Sequence, residues 1–136
     1  MIKVVTTKEH PTCAASFFWW RRIFIGTDYA NIPPSQRVAV VSHEVGHVVG
    51  RHTELKLLCL LLCPLAYIFL CWWCEIQADR HSVRCGNGRR LLEFLKDEAS
   101  GGLLHPSHAT RRRYIKKEEK QLRKVHVKNQ HSKGTA

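Results

Sequence analysis

The pattern of apolar and polar positions predicts a short β region followed by several helices. Met1–Val5 is apolar and β-branched, as is typical of a strand. Ser16–Gly26 is dense in aromatic and β-branched residues and ends at a glycine, so we expect one or two strands there. This second segment is either the half-buried face of a sheet or an edge strand that pairs with an extended peptide.

The first helix is predicted to start after two prolines and to carry a valine stripe. Pro33 and Pro34 end the preceding segment, and Ser35 is a good N-cap residue. Valine is a poor helix former. However, the spacing of the following valines has the period of a helix, so we expect them to form its buried face: Val38, Val41, Val45 and Val48.

A long apolar segment separates this helix from the remaining ones. Leu57–Cys74 contains no charged residue and is interrupted only by Pro64. Its length and composition fit either a borderline membrane span or a buried core helix. Polar, helix-compatible sequence follows at Glu75–Arg84 and Arg89–Glu98, and a last helix is expected after 105–107.

Charge and cysteine content narrow the classes of partner. The chain has 136 residues, enough for one domain with a modest core, and a formal net charge of +11. This charge favours anionic partners such as a lipid surface, nucleic acid or an acidic substrate. Four of the six cysteines lie in the apolar segment, where a reduced thiol behaves as a small hydrophobic group. We therefore expect a reducing compartment.

The sequence His43-Glu44-Val45-Gly46-His47 carries the candidate chemistry. Residues four apart lie on one face of a helix, so His43 and His47 can present two imidazoles to one metal ion. Glu44 can then reach a water molecule bound to that metal. Zinc accepts two imidazoles and a carboxylate and leaves a fourth position for water. The alternative is a helix that carries these three residues without a function.

A zinc site of this kind needs a third protein ligand. A third histidine on the same helix would have to stand where Thr53 is, three residues after Gly50, and His52 is one residue early. We therefore exclude His52. The other candidate is Glu75, and Asp79 one turn later could accept the free ring N–H of His43. The alternative is a solvated acidic face beside nearby arginines.

Three segments in this order resemble the gluzincin peptidases of the HtpX and prenyl-protein (CAAX) endopeptidase family. They are Ser42–His52, Glu75–Arg84 and His105–Ile115, and the resemblance covers about residues 35–124. It implies a zincin-like α+β fold, with a small N-terminal sheet, an active-site helix, a helix with the third ligand, and C-terminal helices. It also implies one Zn²⁺ per chain, bound by His43, His47 and Glu75. In addition, it implies that Glu44 is the general base, that Asp79 supports the site and that His105 lies near the oxyanion.

These features together predict a zinc-dependent metalloendopeptidase that acts on protein or peptide substrates. We expect a single domain over residues 1–124, followed by a basic, disordered tail over 125–136. The larger members of the similar family have two membrane spans between the second histidine and the metal-binding glutamate. This chain has only Val48–Cys74 in that place.

That difference constrains the apolar segment. A single span would put His47 and Glu75 on opposite sides of a bilayer, so the segment must reverse direction, and Pro64 is a suitable turn. The two arms would be about 24 Å and about 15 Å long, shorter than the ~30 Å hydrocarbon core. We therefore predict a helical hairpin over Leu57–Cys74, buried in a homo-oligomer or inserted into one leaflet. We expect membrane association from the cytoplasmic side, with a soluble cytoplasmic protein as the alternative.

Two other functions compete with this hypothesis. The first is a basic module that binds a membrane surface or nucleic acid and has a structural metal site. We do not expect nucleic acid, because the basic segment from Arg111 to Lys133 lacks a recognition motif and has no interleaved aromatic residue other than Tyr114. The second is a thiolate zinc site, which is disfavoured because the loop between the cysteine pairs is short and apolar: Cys59, Cys63, Cys71 and Cys74.

Overall fold

The computed structural model describes residues 1–8, 12–17, 20–97 and 102–133 and has a mixed, mainly helical architecture. Three strands form one sheet in the order β1-β3-β2: β1 (Lys3–Thr6), β2 (Cys13–Phe17) and β3 (Trp20–Ile25). The central strand β3 pairs in parallel with β1 and antiparallel with β2. The prediction of N-terminal strands is confirmed, and the aromatic segment contributes to two of them.

Within the described part of the chain, five α-helices follow the sheet, with short 3-10 turns at Thr27–Asn31 and Pro64–Ala66. The helices are α1 (Pro34–Val49), α2 (His52–Leu62), α3 (Tyr67–Arg84), α4 (Gly88–Asp97) and α5 (His108–Lys133). The α5 helix begins as expected, with the Ser107 hydroxyl accepting a hydrogen bond from the Thr110 amide at 3.2 Å.

Helix α1 is confirmed, but two details of its prediction are wrong. Its N-cap is Pro33, so Ser35 lies in the first turn. The valine stripe is only partly buried, because Val48 is 1% exposed but Val38 is 46% exposed, while Ala39 and His43, which lie outside the stripe, are buried. The buried face is instead the one that contacts α3, α4 and the sheet. Burial of polar motif residues on that face requires polar partners on neighbouring elements.

Helices α2 and α3 form the two arms of the predicted hairpin, with the 3-10 turn Pro64–Ala66 between them. The first arm is not continuous, however. Helix α1 ends at Val49, and Arg51 has a φ of 53° before α2 begins at His52. A non-glycine residue in this left-handed region redirects the chain at a small energetic cost. Within the described residues, no helix combines the length and apolar character needed to cross a bilayer.

Helices α1 and α3 approach closely at Gly46. A Cβ atom at this position would lie 2.8 Å from the Ala78 Cα atom and 2.9 Å from the His81 Cβ atom, which is too close for any larger residue. The Ser82 hydroxyl also donates a hydrogen bond to the Ala39 carbonyl at 3.1 Å. These contacts bring the motif on α1 next to the first acidic residue of α3.

A small hydrophobic core joins the helices α1, α3, α4 and α5. It holds the start of α5 against the other three helices. Its buried members are Ala39, Val83, Leu91, Leu95 and Ile115. Glu118 of α5 adds an ionic contact, accepting hydrogen bonds from Arg80 and Arg84 of α3, each at 2.9 Å. The boundary expected at residue 124 falls inside α5, which is helical as far as Lys133.

Candidate metal centre

Three side chains from two helices converge on one point. The two ring nitrogens, His43 Nε2 and His47 Nε2, are 3.1 Å apart. The Glu75 carboxylate lies 3.5 Å from His43 Nε2 and 3.3 Å from His47 Nε2. A tetrahedral zinc ion with ligands at about 2.0–2.1 Å separates its ligand atoms by about 3.3 Å. These residues therefore form a His-His-Glu group close enough to bind a metal ion.

Asp79 determines the orientation of the first imidazole. Its Oδ1 atom lies 2.8 Å from His43 Nδ1. When the carboxylate accepts the Nδ1–H proton, the Nε2 lone pair faces the other two donors. The structure thus places Asp79 in the position that the sequence predicted for it. Both acidic residues are buried, Glu75 at 3% and Asp79 at 1% exposure, which excludes a solvated acidic face.

Arg111 is a site residue that the sequence analysis did not single out. Its Nε and Nη2 atoms donate to the two oxygens of Asp79 at 2.8 and 2.6 Å, and its Nη1 atom is 3.7 Å from Glu75. Such a paired arginine compensates for burying two carboxylates. Its signal in the sequence is the spacing of Arg111, Ile115 and Glu118, which share the buried face of α5.

His52, excluded as a ligand, contacts the second imidazole. Its Nδ1 atom lies 2.9 Å from His47 Nδ1, and the residue is 2% exposed. The donor group described above does not include it. No sequence pattern indicates this contact, since the direction of α2 depends on the left-handed conformation of Arg51.

Glu44 and His105 line a cavity beside the three donors. The cavity has a volume of about 320 Å³, and Glu75 and Arg111 also contribute to its wall. Glu44 is buried, whereas the His105 side chain is 54% exposed and its Nδ1 atom lies 3.3 Å from Glu75. Both predicted catalytic residues therefore line the cavity that His43 and Glu75 also border.

Burial and hydrogen bonding give the site residues different pKa values. Burial alone would lower the pKa of His43, but hydrogen bonds to Asp79 and Glu75 raise it to about 9. Burial lowers the pKa of His47 to about 4. Burial alone would raise the pKa of Glu75, but hydrogen bonds from the histidines hold it well below its usual range. Burial raises the pKa of Glu44.

The cysteines do not form a second metal site in the part of the chain that is described, where the His-His-Glu group alone has suitable geometry. Cys71 and Cys74 are buried, whereas Cys63 at the turn is exposed. Burial raises the pKa of the Cys74 thiol to about 11, so this thiol stays protonated and packs as a hydrophobic group.

The site thus has the donor set of a single-metal centre, with two imidazoles and one carboxylate close enough to bind one ion. Comparison of the chain with protein-family models, curated proteins and solved structures finds no match. The function must therefore be inferred from the arrangement of the site, since fold alone does not define function.

Proposed function

We propose that this protein is a zinc-dependent metalloendopeptidase with a zincin-like fold. The observation that supports this is the spacing of the His43, His47 and Glu75 donor atoms, with Glu44 in the adjoining cavity. Two imidazoles and one carboxylate are a ligand set of catalytic zinc, which keeps one position open. The element order is also that of the proposed fold, with a small sheet, then the motif helix, then the helix with the third ligand.

The residues of the site have separate roles in this mechanism. Zinc bound to the three donors would lower the pKa of a bound water molecule and polarise the scissile carbonyl. Glu44 accepts a proton from the attacking water and transfers it to the leaving amine. Burial raises the pKa of the Glu44 carboxyl towards the working pH, and this favours both proton transfers. His105 lines the same cavity and would donate a hydrogen bond to the developing oxyanion, a contact typically worth ~10²–10³ in rate.

The substitution Glu44→Gln tests the proposed chemistry separately from metal binding. We expect the variant to retain about one Zn²⁺ per chain and to lose ~10²–10⁴-fold or more of peptide hydrolysis. Hydrolysis of a quenched fluorescent peptide library and metal analysis provide the two readouts. Glu93→Gln, which changes a half-exposed glutamate on α4, is the matched control and should retain both. Full turnover by the Glu44→Gln variant would remove the assigned base.

We also propose that the turn of the hairpin inserts into one leaflet of an anionic membrane. Its exposed side chains are Leu58, Leu61, Leu62, Leu65 and Phe69, with exposures between 53% and 91%. No charged residue lies between Leu57 and Cys74, and the net charge of +11 favours anionic headgroups. Co-sedimentation with vesicles containing phosphatidylserine tests this proposal. Concentration-dependent dimerisation without vesicle binding would instead indicate a second copy as the partner.

A basic binding module is the second candidate function, supported by a surface cavity between α4 and α5. Four cationic residues and one glutamate line this cavity of about 590 Å³: Arg89, Lys96, Arg112, Lys116 and Glu93. Arg89 pairs with the glutamate at 3.2 Å, so net positive charge remains. Salt-dependent binding to DNA that persists after removal of zinc, together with no peptide hydrolysis, would favour this function.

A further inference from the structure

The two metal-binding imidazoles differ in what supports their outer nitrogen. His43 Nδ1 is 2.8 Å from the carboxylate of Asp79, which itself binds Arg111. His47 Nδ1 is 2.9 Å from another imidazole nitrogen, His52 Nδ1. A carboxylate, a backbone carbonyl or water is the usual partner of a metal-binding histidine. The contact between His47 and His52 is therefore a distinct feature of this site.

This contact restricts where the protons are when His47 binds a metal ion. A neutral imidazole that binds through Nε2 carries its proton on Nδ1. His47 Nδ1–H can then donate to His52 Nδ1 only if His52 keeps its own proton on Nε2. The distance of 2.9 Å is that of a normal N–H···N hydrogen bond. The Nε2–H tautomer of His52 is thus compatible with metal binding by His47. The Nδ1–H tautomer is not, because two N–H groups would then face each other.

The surrounding structure fixes the His52 ring in this position. Gly50 contacts the ring so closely that a Cβ atom there would overlap with it. Trp73 of α3 also packs against the ring, with ring centroids 5.9 Å apart and an angle of 61° between the planes. Trp73 lies on the same helix as Glu75, two residues before it. The ring of His52 therefore contacts α1, which carries the histidine ligands, and α3, which carries the carboxylate ligand.

We propose that His52 is a positioning residue, which orients His47 and sets its tautomer for metal binding, and that Trp73 fixes His52 in place. The proposal rests on the metal site proposed above, but not on peptidase activity. Because a neutral imidazole replaces a carboxylate, His47 is the less strongly supported of the two histidine ligands. The contact also connects the first residue of α2, and with it the apolar hairpin, to the metal centre.

Zinc affinity measured by competition with a chelator tests this role. His52→Phe keeps a ring between Gly50 and Trp73 but removes the hydrogen-bond acceptor, and we expect affinity to fall ~10–100-fold. His52→Asn restores an acceptor near the position of Nδ1 and should bind zinc within about threefold of the wild type. In the cobalt-substituted protein, His52→Phe should also change the visible absorption bands, which report ligand geometry. Trp72→Phe, which changes the neighbouring tryptophan whose indole N–H donates to the Leu103 carbonyl, is the matched control and should stay close to wild type.

Two results would overturn the proposal. The first is a folded His52→Phe variant that binds zinc as tightly as the wild type. The second is a His52→Asn variant as weak as His52→Phe, because shape alone would then explain the loss. If neither variant folds, nitrogen NMR of the zinc-loaded wild type decides, and a proton on His52 Nδ1 contradicts the assignment. A folded wild type that binds no zinc would remove the metal site itself, which is a different outcome.

Discussion

The base and the tip of the α2–α3 hairpin show opposite relations between residue type and burial. The base contains two carboxylates, yet all of its members are between 0% and 3% exposed: Cys71, Cys74, Glu75, Ala78 and Asp79. The tip consists of large apolar side chains, yet they are between 72% and 91% exposed: Leu61, Leu62, Leu65 and Phe69. Hydrophobicity alone would have predicted an exposed base and a buried tip.

The difference follows from what each region contacts. The base packs against α1 at Gly46 and against α5 through Arg111, so its carboxylates have cationic and imidazole partners. Buried carboxylates with such partners remain charged, because the partners replace the lost hydration. The large apolar side chains of the tip remain accessible among the described residues. An exposed apolar patch of this kind usually marks an interaction site.

The largest effect is expected from removing a ligand at the base. Glu75→Ala leaves two imidazoles, and we expect zinc affinity to fall by more than the ~10–100-fold typical of losing an outer partner. Metal analysis after gel filtration should show about one Zn²⁺ in the wild type and almost none in the variant. Glu93→Ala, a change on the exposed side of α4, should bind zinc normally. Zinc retained by Glu75→Ala would assign the third ligand elsewhere.

A smaller loss is expected from separating the two helices that form the base. Gly46→Ala places a Cβ atom against the backbone of Ala78, which is 2.8 Å from the ideal Cβ position, so α1 and α3 must move apart. We expect the free energy of unfolding of the metal-free protein to fall by about 1–3 kcal/mol. Urea unfolding measures this change. Gly102→Ala is the control, since a Cβ atom there meets no other atom within 4 Å. Equal stability of the two variants would show that this close approach is not required.

The pH dependence of zinc binding tests the charge distribution at the base. His43 must lose a proton to bind zinc, and its pKa is about 9, so affinity should rise with pH below that value. His47 has a pKa of about 4 and Glu75 is ionised, so neither competes with zinc near neutrality. We therefore expect about a tenfold increase in affinity per pH unit between about pH 5 and 6.5, below the ionisation of zinc-bound water. A hundredfold increase per unit, measured by chelator competition, would mean that both histidines are protonated.

The smallest effect on folding is expected at the tip. Replacing Leu61 and Leu65, which are 72% and 91% exposed, with serine removes almost no buried surface. The free energy of unfolding should change by no more than about 0.5 kcal/mol per substitution, and zinc affinity should stay the same. Leu95→Ala in the core provides the contrast, with an expected loss of about 2–5 kcal/mol. If the serine variant were strongly destabilised in vesicle-free buffer, the tip would have to be covered by another part of the protein or by a second copy.

Local spacing allowed much of the site and hairpin to be predicted. The interval between His43 and His47 places both rings on one face of any helix, and Asp79 follows Glu75 by one turn. The requirement that His47 and Glu75 meet, together with Pro64, predicted that the apolar segment reverses direction, and a 3-10 turn at Pro64–Ala66 separates its two helices. These inferences needed only the regular geometry of a helix and one assumed contact.

Long-range packing decided what local spacing left open. The helical period of the valines did not show which face of α1 would be covered, and Val38 is exposed because other elements pack elsewhere. Arg111 and His52 reach the site only because α5 docks on α3 and the chain turns at Arg51. The sequence therefore determined which residues can act together within a helix. Only the tertiary structure determined their partners from other helices, because such contacts depend on how separate elements pack.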